Sequence, residues 1–417
     1  MVRRSKTMER KVNRFLSETE EVILNSLANA LFGARRTMPE NVNWQAVYTE
    51  SVYQAVMPLI FTDNKLVPSD IQTKYEMDKH IALAYNIIRE QEHVQLDCMM
   101  KCGKVPYVIL KGCASARYYP KSILRSMGDV DFWVHHEYFE RAGQYLTDNG
   151  YTSWNKNHIC DDVYRKGESH LEMHFEPAGR PHGKAGDLVR EYLQDTIDKA
   201  TAHQIPEGEY MVPSDFHHGL IILLHTSHHM TGEGIGIRHL CDWAVFVASL
   251  SNDKFCEFFE EKLKNIGMWY FAQVITKVAI KYLGCPTREW VGNPNEELVD
   301  TILKDIFKGG NFGHKNYRRG QETLLISSRG EDGVGNKSML QQLVISMNEI
   351  VYMKWPVSKK CLFLLPIGWC FYGGRYIVRS LFGKRPKINV NEVMKGAGER
   401  RNLYRQLKIF ENEEEKL

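Results

Sequence analysis

Residues 105–134, VPYVILKGCASARYYPKSILRSMGDVDFWV, set the architecture of everything around them. They read as a strand over 106–110, a tight break at Lys111-Gly112, a short helix, a loop, and a second strand carrying Asp129 and Asp131. Side chains on a strand alternate between its faces, so Asp129 and Asp131 are expected to project together while Val130 and Phe132 face the core. Two adjacent carboxylates raise each other's pKa unless a cation lies between them. Hard divalent cations, Mg²⁺ first and Mn²⁺ as a substitute, take oxygen ligands of this kind, commonly together with phosphate.

Further along, His170-Leu171-Glu172-Met173-His174-Phe175-Glu176 alternates cleanly between apolar and polar residues, the pattern of a half-buried strand. Placed beside the Asp129–Asp131 strand, Glu172 completes a three-carboxylate cluster. Such a cluster can hold a metal pair, activate an attacking oxygen and steady a departing pyrophosphate.

Three of these motifs carry a resemblance. Leu110-Lys111-Gly112, the Arg-x-x-Gly-Asp-x-Asp run from Arg125 to Asp131, and Glu172-Met173-His174 resemble the polymerase-beta-type nucleotidyltransferase superfamily. The nearest likeness is to the bacterial group known as uncharacterised nucleotidyltransferases. A further similarity lies in a His-rich helix that leads to Gly236-Ile237-Arg238-His239-Leu240-Cys241-Asp242. Where the superfamily usually has a Gly-Ser turn, this chain has Lys111-Gly112-Cys113, so Lys111 is expected to supply a charge instead.

The resemblance implies Mg²⁺-dependent transfer of a nucleoside monophosphate from a nucleoside triphosphate to an acceptor hydroxyl. A small molecule or sugar is the favoured acceptor. Asp129 and Asp131 would ligate both metals, and Glu172 would ligate the catalytic one or take the acceptor's proton. Lys111 and Gly112 are expected at the phosphates. Arg117 and Arg125 are candidate clamps, and His174 a group that orients a carboxylate. His225, His229, Arg238 and Asp242 are candidates for the cleft, with Arg238 and Asp242 also able to pair along their helix. Two rival readings stand beside this one. The first is a metal-dependent hydrolase using His170, Glu172, His174 and the His225–His229 helix. The second is a non-catalytic binding protein on the same fold.

With 43% apolar and 25% charged residues, a chain of 417 residues is ordinary globular material, enough for two or three packed units. A net charge of +3 is too weak to argue for nucleic acid as a partner. Nine scattered cysteines make no disulfide framework or Cys-x-x-Cys pattern, which fits a reducing cytoplasm. The basic segment at 1–15 has no apolar run behind it and is not expected to be a secretory signal. Residues 361–374, CLFLLPIGWCFYGG, are interrupted by Pro366 and three glycines and fall short of the ~20 residues that span a bilayer. A core helix is the favoured reading. Peripheral membrane contact through 361–379, with Lys359, Lys360, Arg375 and Arg379 on anionic headgroups, is the other.

The expected fold class is α+β, a small mixed β-sheet core of order β-α-β-α-β-β-β flanked by helical regions. Boundaries are expected at 1–103 (helical), 104–186 (the αβ core) and 187–417 (helical). Residues 308–337, rich in Gly, Lys, Arg and Asn, are expected to form a mobile loop.

Overall fold

The computed structural model describes residues 15–39, 41–60, 67–155, 161–176, 179–326, 334, 336–383 and 389–411. The basic N-terminal segment up to residue 14 and part of the expected loop (327–333 and 335) lie outside them.

Helices α1 (Glu18–Phe32) and α2 (Trp44–Tyr53) open the described chain. The spacing of Ser17 and Glu20 predicts a reciprocal cap, and each side chain accepts from the other's backbone N–H. Helix α3 (Ser69–Gly103) forms as expected but turns a different face inward. The sequence sets Ile81 and Ile88 at helical spacing, but they are 59% and 51% exposed. Asn86, Arg89, Glu92, His93 and Asp97 are buried in their place. Hydrogen bonds make that burial tolerable: Arg89 pairs with Glu92 at 2.5 Å, and Tyr107 Oη donates to Asp97 at 2.8 Å. Asn86 donates to the carbonyls of Ile123 and Arg125 and accepts from the Met127 N–H, so α3 holds the loop that feeds the Asp strand.

A glycine closing a helical run is the usual left-handed cap, but Gly103 does not take that role. It is the last helical residue, and Lys104 takes the positive φ of 52°. Its small size serves packing, since a Cβ there would lie 2.9 Å from the Tyr145 ring.

The sheet core follows as β1 (Tyr107–Ile109), α4 (Cys113–Ala116), β2 (Val130–Val134), α5 (Phe139–Asp148), β3 (Thr152–Asn155), β4 (Asp161–Lys166) and β5 (Ser169–His174). Spatial order is β1-β2-β5-β4-β3, with β2 and β5 parallel and the other pairs antiparallel. Val130, Phe132, Val134, Leu171 and Met173 are fully buried against Leu96 and Met100 of α3 and Ala142 and Leu146 of α5. After α6 (Gly183–Leu193), the hairpin β6 (Thr201–Ile205) and β7 (Gly208–Val212) closes the same core with Tyr210 and Val212.

The rest of the described chain is helical: α7 (Asp215–Thr231), α8 (Ile237–Ala248), α9 (Asn252–Asn265), α10 (Trp269–Val278), α11 (Glu296–Gly309), α12 (Arg319–Glu322), α13 (Met339–Lys354), α14 (Leu364–Leu381) and α15 (Val390–Gln406). The apolar clusters cut across the expected boundaries. Both α3 and the β6–β7 hairpin share the sheet's core, whereas α1 and α2 pack into the core of the C-terminal helices.

Three expectations need correction. Residues 201–212, inside the region expected to be helical, form the β6–β7 hairpin. The stretch near 308–337 is not a loop over its described first part. It holds the end of α11, a turn at Asn311–Gly313 and α12, pinned by the buried pair of Arg319 and Asp305. Residues 361–374 are not a core helix: α14 runs on to Leu381 with much of its apolar surface exposed. Pro366 is accommodated because it falls in the first turn, where no intrahelical N–H is required.

Candidate active site

Parallel pairing of β2 and β5 puts Asp131 directly opposite Glu172, both on the face away from the core. His174 projects on that face too, its Nε2 3.0 Å from Asp131 Oδ1 and 3.7 Å from Glu172 Oε2. Lys111, at the break after β1, brings Nζ to 2.8 Å from the same Asp131 oxygen and 3.1 Å from His225 Nε2. One carboxylate oxygen thus receives two basic groups.

The electrostatics follow from this crowding. Burial works against ionised Asp131, but Lys111 and His174 outweigh it and hold the carboxyl well below the usual range. Burial likewise opposes charge on His174, yet its hydrogen bonds to Asp131 and Glu172 raise its pKa to about 9. The negative charge of Asp131 is the main cause that pushes Glu172 upward.

Ligand atoms of Asp131, Glu172 and His174 lie within 4.8 Å of one another. Asp129 stands apart from this group. Its side chain is about half exposed and lies 3.5 Å from His170, although it lines the same cleft of about 210 Å³. The three-carboxylate cluster expected from the sequence is here two carboxylates and an imidazole, with Asp129 at the mouth. His225 and His229 do not join it, so the hydrolase's ligand set is not assembled among the described residues.

Gly112, at φ 59° and ψ −116°, lets the chain reverse between β1 and α4, a conformation that strains any residue with a Cβ. The N–H groups of Ala114 and Ser115 are spent on the carbonyls of Lys111 and Gly112. Arg125, a candidate clamp, lines the cleft but is buried and paired. Its Nε and Nη2 donate to the two oxygens of Asp242, each at 2.7 Å, and Tyr119 Oη donates to Asp242 as well. The expected pairing of Arg238 with Asp242 along α8 is therefore replaced by one with Arg125. Arg238 instead donates from Nη1 to the Ser126 carbonyl at 3.1 Å, and its Nε has no partner among the described residues. Arg117 is turned elsewhere, donating to Pro213 O and Tyr118 Oη.

Three histidines form the opposite wall. His225 meets His229 edge-on at 4.3 Å and stacks on His239 at 5.6 Å, ring centre to ring centre. Burial keeps all three well below the ordinary histidine pKa and so neutral. Against them lies Phe312, which sequence reasoning missed, 4.9 Å from His229 and 5.5 Å from His239. Phe312 adopts φ 51° and ψ 34°, a left-handed conformation that costs a non-glycine residue on the order of 1 kcal/mol or more. Close packing of its neighbours enforces it: a Cβ on Gly309 would meet the Arg319 guanidinium at 2.8 Å, and one on Gly313 the Glu233 carbonyl at 2.5 Å. The run Gly309-Gly310-Asn311-Phe312-Gly313 was the available signal, an aromatic residue set among glycines. Ser115, in α4, also lines the cleft.

Residues 40–284 match the family described as uncharacterised nucleotidyltransferase. The chain belongs to this family. The matched span takes in Lys111, Asp131, Glu172, His174 and the histidine wall of this nucleotidyltransferase-family protein, and Phe312 lies beyond it. An antigenic nucleotidyltransferase-like protein from Paracoccidioides brasiliensis is similar in structure, at 14% identity and a TM-score of 0.32, over 48% of this chain and 93% of its own. No curated protein matches.

The donor set suits a divalent cation. Two carboxylates and an imidazole converge, the oxygen and nitrogen donors such an ion takes.

Proposed function

We propose that this protein transfers a nucleoside monophosphate from a nucleoside triphosphate to an acceptor hydroxyl, as polymerase-beta-like enzymes do, and releases pyrophosphate. The in-register placement of Asp131 beside Glu172, with Lys111 on the same oxygen, carries this reading. The acceptor oxygen forms a bond to the α-phosphorus while the bond from that phosphorus to the bridging oxygen of pyrophosphate breaks. Glu172, with its pKa pushed up, is the carboxylate suited to receive the acceptor's proton. Lys111 offers positive charge to the triphosphate, and Arg238 offers a guanidinium with an unspent Nε. His174 orients Asp131. A bound divalent cation, Mg²⁺ or in its place Mn²⁺, would be held by Asp131 and Glu172 and would neutralise phosphate charge.

Phe312, His229 and His239 make an aromatic wall suited to a base or sugar ring. A narrow cleft and a net charge of only +3 favour a small molecule or sugar over nucleic acid as acceptor. The test is titration calorimetry with each nucleoside triphosphate and Mg²⁺. Metal-dependent binding of a triphosphate is expected for the native protein, and its loss for Asp131→Asn/Glu172→Gln. Failure of the native protein to bind any of them would sink the reading.

A further inference from the structure

Helix α14 is seated on α13 by one side only. Gly368 comes so close to Val351 that a Cβ would lie 2.6 Å away, and Trp369 Nε1 donates to Asn348 Oδ1 at 3.1 Å. On that side, too, Tyr376 Oη accepts from Gln321 Nε2 at 2.9 Å. At and beside the helix, Phe363, Ile367, Phe371, Ile377, Leu381 and Phe382 are 51% to 88% exposed. At the helical rotation per residue these fall within an arc of about 140°. Arg375 borders that arc and Arg379 lies about 60° beyond it, both exposed, so that their stems can lie along apolar surface while their charges reach outward. Monomeric proteins rarely leave a contiguous apolar face of this kind bare.

The charge pattern identifies what covers it. Between Glu349 and Glu392 the sequence carries eight Lys or Arg and no Asp or Glu. This segment contributes +8 to a chain whose total is +3, leaving −5 on the remainder. A second copy docked two-fold on the same face would bring like charges together. An anionic lipid surface opposes none of them and accepts the aromatic and aliphatic side chains as well. No helix among the described residues is long and apolar enough to cross a membrane.

We propose that α14 and its basic flanks form an interfacial anchor, lying in the plane of an anionic membrane surface with its apolar face in the headgroup–acyl boundary. The full chain is sedimented with vesicles of phosphatidylcholine alone and of phosphatidylcholine with about 30% phosphatidylglycerol, the anionic component that basic segments recognise. Binding is expected to the mixed vesicles, little to phosphatidylcholine alone, and less as salt is raised. Ile367→Glu/Phe371→Glu should abolish it. Arg375→Gln/Arg379→Gln should weaken partitioning by about 30-fold, the usual contribution of two basic groups near such a surface. These side chains are partly or well exposed, so both variants should melt with the native protein. No sedimentation with the mixed vesicles, or sedimentation that neither variant reduces, overturns the proposal. So does a vesicle-free dimer, seen by light scattering, that Ile367→Glu/Phe371→Glu dissociates, because the face then belongs to a second copy.

Discussion

Asp131 and Asp129 look equivalent in the sequence and are not equivalent in space. Asp131 is nearly buried, with Lys111 and His174 on one oxygen, whereas Asp129 leans toward His170 at the mouth of the cleft. Under the proposed function, Asp131→Asn should lower kcat by at least about 100-fold, the order lost when a charge-stabilising group is removed from a site. Asp129→Asn should cost less than about tenfold, since its carboxylate remains partly solvated. Equal losses in steady-state kinetics would favour a symmetric carboxylate pair instead. Phe312 offers a second test, because alanine and glycine both delete the ring but only glycine relaxes the left-handed φ. Phe312→Gly should unfold later than Phe312→Ala in denaturant by about 1 kcal/mol. Both should weaken triphosphate binding by about tenfold, the order of an aromatic stacking contact. Asp131 and Glu172 were legible because strand alternation assigns them a face; Asp129 precedes β2 and escapes that rule, and Phe312 carried only the weak signal of an aromatic among glycines, with no period to read.

Within α3, the residues that suggested the helix are not the ones that seat it. The sequence sets Ile81, Tyr85 and Ile88 at helical spacing, but the side that meets the sheet and the 121–127 loop joins Leu96 and Met100 to a buried polar stretch stitched by Asn86, Arg89 and Asp97. Apolar periodicity cannot reveal a face whose burial is balanced by hydrogen bonds. The C-terminal end of α3 makes the same point in a form that can be measured. Lys104→Gly should stabilise the protein by about 1 kcal/mol in chemical denaturation, because Lys104, not Gly103, carries the left-handed φ. Gly103→Ala should destabilise it by about 1–3 kcal/mol through overpacking against Tyr145. That cost should largely vanish in a Tyr145→Ala background, as coupling between contacting residues requires. An unchanged cost there would point back to the backbone.

Histidines dominate the expected pH response of the whole molecule. His93, His218, His225 and His239 are buried, and burial depresses all four, His93 to about 4. Above the unfolded pKa of about 6.5 they are neutral in both states and contribute nothing. Below it the unfolded chain takes up protons that the folded chain refuses. Each such group then costs up to about 1.4 kcal/mol per pH unit until its folded pKa is reached. His174 has the opposite sign: its pKa is raised to about 9, so its contribution is complete below about 6.5 and is lost as pH rises through 9. Denaturant titrations at pH 5, 7 and 9 should therefore show greatest stability near pH 7, with the steeper loss on the acid side. A profile flat from pH 7 to pH 5 would contradict the buried neutral histidines.

Local pattern was enough for the strand carrying Asp131, the turn at Lys111-Gly112, the polar face of β5 and the caps of α1, because chain geometry alone aligns those residues. The order of the elements through β5 also followed from sequence, and with it the α+β class; the β6–β7 hairpin, inside the stretch expected to be helical, did not. Partnership between distant side chains did not. That Asp242 belongs to Arg125, that a buried Arg319 holds the turn presenting Phe312, and that α14 keeps a bare face were decided by packing between elements far apart in the chain. A guanidinium carries the same formal charge whether it faces a phosphate or a buried aspartate; which of the two it meets depends on what tertiary contacts bring within about 3 Å.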